Sequence, residues 1–383
     1  MARTTYKKRI IDGIEYYYEV IELPRKANGK RNRKHVYSKT VSELKAKLET
    51  IKNDIYHGVN VSNNDSFGGS FYEWLYNIHL KDKKISTINR YEGLYNLYVK
   101  NSNLKNKKIS TIKVIDIQKF YNSLENEGTT ASTIKMIHKI IKPFLNYLYI
   151  NGFTIKDLGA TGLLKLPKII KKNNTMTVLT LEDQEKFIHS LDGKSDRALY
   201  LFALGTGLRL GEILALTWSD ITDNNVIVSK NIKNVKINDK WTLLLQDTPK
   251  TKKSNRTVPI PKNILSELET HRLKQNDIKS KAGDMYKDDD IIFATDFGTY
   301  IDPSNLNRRF KKLLKNAEIK PIKFHSLRHT YATRLFENNI QPKTVSDLMG
   351  HEDIQTTLNL YTWVLDSQKN KAAEILDTIF TIE

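Results

Sequence analysis

A multidomain α+β fold is what the sequence predicts: a small three-stranded sheet with one helix over 1–60, an all-α domain over 71–160, and a mainly α domain with a small antiparallel sheet over 180–383. Three observations carry this. Runs rich in β-formers are confined to the first 40 residues and to 225–260, whereas apolar residues elsewhere recur at helical spacing. Two polar stretches, 61–70 and 161–179, read as linkers. A chain of 383 residues with 39% apolar side chains is long enough for two or three domains with cores of their own.

The first strands are Thr5–Ile11, Glu15–Leu23 and His35–Ser38, separated by the turn signals Asp12-Gly13 and Ala27-Asn28-Gly29-Lys30. Thr40 or Ser42 then caps a helix over 41–56 that ends at Gly58, with Leu44, Leu48, Ile51 and Ile55 on one face. Beyond the first linker come four helical stripes. They are Phe71, Trp74, Leu75 and Ile78; Ile88, Tyr91, Leu94, Tyr95 and Tyr98; Ile115, Ile117, Phe120 and Leu124; and Ile137, Ile140, Ile141, Phe144, Leu145 and Leu148. Ser86, Ser110 and Ser132 stand where N-caps are wanted. After the second linker, Thr180-Leu181-Glu182-Asp183 supplies a cap and an acidic first turn, followed by an apolar helix at Ala198–Gly205. An antiparallel meander is expected from Asn225–Ser229, Trp241–Leu245 and Thr257–Ile260, its last turn carrying residues 249–256.

Charge points to the partner. Against 43 acidic side chains there are 62 Lys and Arg, a net charge of +19, and such an excess favours a polyanion through counterion release. Residues 1–60 carry +7, residues 61–175 carry +10, and the rest only +2. The front half is therefore expected to grip nucleic acid, although lysine-rich surfaces also serve solubility. Candidate DNA contacts are Arg25, Lys26, Arg31, Arg33 and Lys34 in the second turn and the strand after it, Lys83, Lys84, Lys135 and Lys139 on the rim of the helical domain, and Lys171 and Lys172 in the second linker. The chain has no cysteine, which excludes disulfides, thiol nucleophiles and Cys-ligated zinc and suits the cytoplasm. The N-terminus lacks the apolar run of a signal peptide, and no segment reaches the roughly 18 apolar residues of a membrane span.

Candidate chemistry lies in the back half. Arg209 sits between Gly207 and Gly211, where small residues permit tight turns and close backbone approach, and Glu212 follows three positions later. Lys250 falls where it can reach a cleft as a proton donor to a leaving oxygen. His325 and Arg328 share one helix face, and His325 with His329 has the spacing of a metal pair. Neither a cysteine nor an adjacent glutamate supports a metal there, and Arg328 would repel a cation. His351 and Tyr361 lie ten positions apart near the C-terminus. Two guanidiniums can hold the non-bridging oxygens of a phosphodiester, imidazoles can move protons, and a tyrosine can attack phosphorus where cations stabilise the developing charge.

Four motifs, TGLRLGE (206–212), PKTKKSNRTVPI (249–260), HSLRH (325–329) and LMGH (348–351) followed by Tyr361, resemble in combination and order the tyrosine recombinases, among them the integrases of phages and conjugative transposons. The resemblance covers the catalytic domain from about residue 175 and, more loosely, a helical core-binding domain from about 66. Residues 1–60 look like the arm-binding domain of the larger integrases. It implies that Arg209 and Arg328 bind the scissile phosphate, that Lys250 protonates the leaving 5′-oxygen, and that Tyr361 attacks to give a 3′-phosphotyrosyl link. His325 and His351 would assist proton transfer, with Glu212 bracing the pocket. Cofactors are not implied: strand exchange in this family needs neither ATP nor a metal. The implied partners are double-stranded attachment sites, three further copies in a homo-tetramer on DNA, a host DNA-bending protein and an excision factor.

A short apolar stripe, Ala372, Ala373, Ile375, Leu376, Ile379 and Phe380, closes the chain on a helix expected at about 366–383, which either folds back on its own domain or docks into a neighbouring subunit. Two other readings stand beside the integrase: a non-catalytic DNA-binding protein of the same fold, and an enzyme like a type IB topoisomerase or a telomere resolvase.

Overall fold

The structure, a computed structural model, describes residues 6–23, 31–56, 65–169, 177–246, 255–362 and 364. The chain divides into two compact units, Met1–Ile170 and Lys171–Glu383.

In the first unit, β1 (Lys7–Ile11), β2 (Ile14–Leu23) and β3 (Asn32–Ser38) form an antiparallel sheet in that order. Asp12 and Gly13 both take positive φ, 49° and 78°, the two-residue turn that suits the twist of a hairpin. Helix α1 (Val41–Tyr56) lays Leu44, Leu48 and Ile51 on Val36. Its first turn is capped by Thr40, whose Oγ1 accepts from the Glu43 N–H at 3.2 Å.

Four helices follow: α2 (Phe67–Trp74) running into a π turn at Leu75–His79, α3 (Ile85–Leu94) running into another at Tyr95–Val99, α4 (Val114–Asn126) and α5 (Ala131–Ile150). The four apolar stripes meet in one core around Phe71, Phe120, Ile137 and Phe144, except that Ile78 and Ile115, expected on the buried faces, are exposed. Three expectations are corrected. The glycine-rich stretch is not all linker, because α2 begins at Phe67 with Ser66 Oγ accepting from Gly69 N–H. A Cβ on Gly68 would lie 2.9 Å from the Lys105 side chain and 3.1 Å from its carbonyl, so this glycine serves close packing. Nor do the three serines cap. A cap keeps an extended backbone, and that geometry falls at Lys84 (ψ 141°), Lys113 (ψ 160°) and Thr130 (ψ 146°). Ser86 and Ser132 lie inside α3 and α5, and Ser110 lies in a 3-10 turn. The second stretch read as linker is also shorter than expected: the Lys165 backbone exchanges two hydrogen bonds with the Gln118 amide, at 2.8 and 2.9 Å.

In the second unit, α6 (Leu181–Ser190) is capped by Thr180, and α7 (Arg197–Thr206) is buried nearly all round, packing against α9 (Lys262–Ala282) and α11 (His325–Glu337). Helices α8 (Leu210–Ile213), α10 (Pro303–Asn316) and α12 (Pro342–Met349) and a helix over 354–362 complete it. The expected meander is replaced by two sheets. Strands β4 (Ile221–Thr222), β5 (Asn225–Val228) and β8 (Arg256–Pro259) make one, and β6 (Asn231–Ile237) and β7 (Lys240–Gln246) make a separate hairpin. Strand β6 takes the place beside β7 because a tight turn at Asn238 and Asp239, both at positive φ, pairs them directly. Among the described residues no helix is long and apolar enough to cross a membrane.

Candidate active site

Arg209 stands at the start of α8, and the glycines around it are fixed by packing. Gly207 ends α7 at φ 64°, and a Cβ there would lie 2.3 Å from the Tyr331 ring. A Cβ on Gly211 would lie 2.5 Å from the Ile232 carbonyl, so only glycine lets α8 approach β6 this closely. Glu212, 6% exposed, is held by four donors: the Arg209 N–H at 2.9 Å, Arg209 Nη1 at 2.8 Å, Arg256 Nη2 at 2.8 Å and Arg256 Nη1 at 3.3 Å. Burial raises the pKa of its carboxyl, but the Arg256 hydrogen bonds and charge, with Arg209, outweigh burial and bring it down to about 2.

Arg328, on α11, is 1% exposed, and its Nη1 donates to the Gly207 carbonyl at 2.7 Å while Nη2 donates to the Met349 carbonyl. Burial and the Arg209 charge press its pKa down to about 9, so it stays a cation at neutral pH. Gly350, left-handed at φ 61°, terminates α12, and its carbonyl accepts from Arg209 Nη2 at 3.2 Å. His351 follows, its Nδ1 sharing a 2.7 Å hydrogen bond with Thr357 Oγ1. Burial first, then Arg328 and Arg209, hold the His351 imidazole down to about 3. His325 is held down to about 4 by burial, His329, Arg328 and Arg209, against the opposing pull of Glu212. Both rings are therefore neutral at physiological pH and able to donate from one nitrogen and accept at the other. His329 meets His325 edge-on at 4.7 Å.

The structure thus brings together Arg209, Glu212, His325, Arg328 and His351. Two guanidiniums, Arg209 and Arg256, bond one carboxylate there and a third, Arg328, lies within range of its charge, an excess of positive charge suited to an anion. Tyr361 lies in the helix over 354–362, its ring 5.1 Å from Phe336 on the small core of Ala332, Phe336, Val345, Met349, Leu360 and Val364. Among the described residues, no hydrogen bond or ion pair ties its hydroxyl to the charged cluster. Lys250 lies outside the described residues, on the connection from β7 to β8, which joins two sheets rather than closing a meander. Arg256 and Thr357 are parts of the site that sequence reasoning missed; Arg256 carried a signal, since it falls inside the second quoted motif, whereas Thr357 carried none. Among the described residues no group of three or more His, Asp or Glu side chains is arranged to hold a metal ion.

Of the candidate DNA contacts, Arg31 and Arg33 are exposed, Arg33 pairing with Glu22 across the sheet at 3.3 Å, and Lys34 is half-buried on β3. Lys83 and Lys84 are exposed ahead of α3, and Lys135 and Lys139 lie one turn apart on α5. Arg25, Lys26, Lys171 and Lys172, and the C-terminal stripe, lie outside the described residues.

The family described as phage integrase matches residues 177–368, and its N-terminal SAM-like domain matches 66–125. A tyrosine recombinase XerC-like protein of Caldanaerobacter subterraneus subsp. tengcongensis is 40% identical over 390 residues, 99% of each chain. The ICEBs1 integrase of Bacillus subtilis is 28% identical over 275 residues, covering 64% of this chain and 72% of that one. Among solved structures, the Tn1549 transposon integrase in complex with transposon right-end DNA superposes with a TM-score of 0.65 at 20% identity, covering 80% of this chain and all of that one (100%). A lambda integrase dimer bound to a COC′ core site gives 0.56 at 17% identity, covering 94% and 96%. These two likenesses show the fold. With the family match spanning the whole charged cluster and a relative matching along its full length, the chain belongs to the phage integrase family and is a tyrosine-type site-specific DNA recombinase.

Proposed function

We propose that this recombinase integrates and excises a mobile element, cleaving DNA through Tyr361 and passing through a Holliday junction as a homo-tetramer on its attachment sites. The observation that carries the reading is the convergence of Arg209, Arg328, His325 and His351 around Glu212, with positive charge in excess. Relatives and neighbours lend support in their names: a transposon integrase on transposon end DNA, the ICEBs1 integrase, and a lambda integrase tetramer bound to a Holliday junction.

In this reading Arg209 and Arg328 hold the non-bridging oxygens of the scissile phosphate and stabilise the charge that gathers there. The Tyr361 oxygen forms a bond to phosphorus, its proton passing to one of the neutral imidazoles, as the bond to the 5′-oxygen breaks and Lys250 gives that oxygen a proton. His325 and His351, neutral before the step, hydrogen-bond the phosphoryl oxygens and move protons. Glu212 keeps Arg209 in place. The reverse step, with the 5′-hydroxyl of the exchanged strand as attacker, reseals the DNA and releases the tyrosine. Residues 1–60 would hold arm sites and 71–160 the core site, through the basic side chains named above. The helix expected at 366–383 would dock into the next subunit, and a host DNA-bending protein and an excision factor would set the direction.

The test is a plasmid carrying both ends of the element in which the gene resides. It is placed in the cell that carries the element, and so its accessory proteins, with the cell's own copy of the gene deleted. There wild type releases a circle with a new junction, Tyr361→Phe releases none, and deletion of residues 367–383 abolishes the circle while leaving DNA binding largely intact. Relaxation of supercoils without a new junction would instead identify a topoisomerase-like activity, and DNA binding without either product a non-catalytic one.

A further inference from the structure

The end of α12 presents three successive carbonyls, and a different arginine takes each. Leu348 accepts from Arg256 Nε at 2.8 Å, Met349 from Arg328 Nη2, and Gly350 from Arg209 Nη2 at 3.2 Å. The last carbonyls of a helix have no partners within it and carry its partial negative charge, so they are natural seats for cations. Two of these arginines are the ones assigned to the phosphate. The third is placed differently: the Arg256 side chain is 6% exposed and turns its two remaining nitrogens onto the two oxygens of Glu212, at 2.8 and 3.3 Å. It opens β8, directly after the connection that carries Lys250. The backbone of Gly350 packs on it so tightly that a Cβ there would lie 3.0 Å from the guanidinium.

We propose that Arg256 is a positioning residue for strand cleavage, clamping Glu212, and with it Arg209, to the turn that presents His351. The inference rests on the assignment of Arg209 and His351 to the scissile phosphate. Its physical content is a division of labour. Glu212 is a buried carboxylate that needs cationic partners, and Arg209 is one of them. With Arg256 in place, Glu212 has two donors from it and leaves Arg209 able to serve a phosphate. Without Arg256, Glu212 would have Arg209 as its remaining bonded partner among the described residues and compete with the phosphate for that guanidinium, while the Leu348 carbonyl would lose its donor and the end of α12 one of its three arginine anchors. A lysine cannot replace it, because one ammonium cannot reach a carboxylate and a carbonyl in two directions with the fork geometry of a guanidinium.

The test compares full-length wild type, Arg256→Lys, Arg256→Gln, Glu212→Gln and the Arg256→Gln/Glu212→Gln pair on nicked duplexes tiled from the DNA flanking the gene. Affinity is read by anisotropy, and covalent cleavage in a single turnover across pH 5 to 8. Both Arg256 variants are expected to bind DNA within about twofold of wild type and to cleave about 10–100-fold more slowly, the loss that a misplaced reacting group brings. Adding Glu212→Gln to Arg256→Gln is expected to bring no further loss, since both act through one contact. In Arg256→Gln the deficit should also narrow on the acid side: Glu212, then faced among the described residues by Arg209, Arg328 and His325, takes up a proton at a higher pH than in wild type and stops competing for Arg209. A merely structural role would leave the shape of that pH profile unchanged. If wild type forms no adduct, the reading of the site itself falls, and the inference with it. If wild type forms the adduct and both Arg256 variants match its rate and profile, or lose affinity and rate in equal measure, Arg256 has no positioning role.

Discussion

Replacing Glu212 by glutamine removes one charge from the most buried ion pair in the site and leaves the shape of the side chain nearly unchanged. The Glu212 side chain is 8% exposed, and that of its chief partner, Arg256, is 6% exposed. A carboxyl carried from 4.5 down to about 2 in the folded protein corresponds to about 3 kcal/mol of stability at neutral pH. Removing one member of a buried pair costs about 3–5 kcal/mol, because the other is left without its counter-charge. Arg209, with 39% of its side chain exposed, can turn towards water, so the lower end of that range applies. At about 2–4 °C per kcal/mol for a domain of roughly 200 residues, the unfolding transition of the second unit should fall by about 6–12 °C in Glu212→Gln. Since the folded pKa is depressed, this stability is present above pH 4.5 and drains away as pH falls towards about 2. Calorimetry at pH 7 and again near pH 3 checks both features: a large gap between wild type and variant at pH 7, and a smaller one near pH 3. A gap under about 2 °C at neutral pH, or one of equal size at both pH values, would refute the reasoning.

Gly211→Ala should cost about 1–3 kcal/mol, because its Cβ would lie 2.1 Å from Asn231 Oδ1 and 2.5 Å from the Ile232 carbonyl, and should slow cleavage by moving Arg209; a melt and a single-turnover assay read the two effects. Thr357→Val keeps the volume but removes the hydroxyl on His351 Nδ1, and should slow cleavage about tenfold, with Thr357→Ser recovering most of the rate. His325 and His351 protonate only near 4 and 3 when folded, against 6.5 in the open chain, so they leave stability intact above pH 6.5 and erode it as pH falls towards 3. Melts of wild type from pH 7 to 4 should therefore decline more steeply than those of a His325→Gln/His351→Gln double variant.

What could be read from the sequence was what is local. The sheet and helix of the first 56 residues follow from strand runs, a two-residue turn and one apolar face, and the four helical stripes of the next domain found the core in all but Ile78 and Ile115, which are exposed. The caps failed because a serine two residues inside a helix looks the same in sequence as one just outside it. Strand β6 escaped because only Ile232 and Val235 of its seven residues are buried, three apart, without the alternation that marks a half-buried strand. In the site, Arg209, Glu212, His325, Arg328 and His351 announced themselves by motif. Arg256 lay inside a motif too, but its role stayed hidden, since its partners are 44 and 92 positions away and only the fold brings them together. The glycines of TGLRLGE were legible as glycines, but that Tyr331 and β6 are what they make room for is a property of the packed domain.

The central claim is that Tyr361 becomes covalently joined to DNA in this charged site. Wild type and Tyr361→Phe, incubated in EDTA with nicked duplexes from the DNA flanking the gene and resolved on a denaturing gel, put it to the test directly. The account predicts an adduct with wild type alone, mapping by peptide mass to the segment that contains Tyr361. An adduct formed equally by Tyr361→Phe, or DNA bound by wild type with no adduct on any flanking duplex, would contradict it.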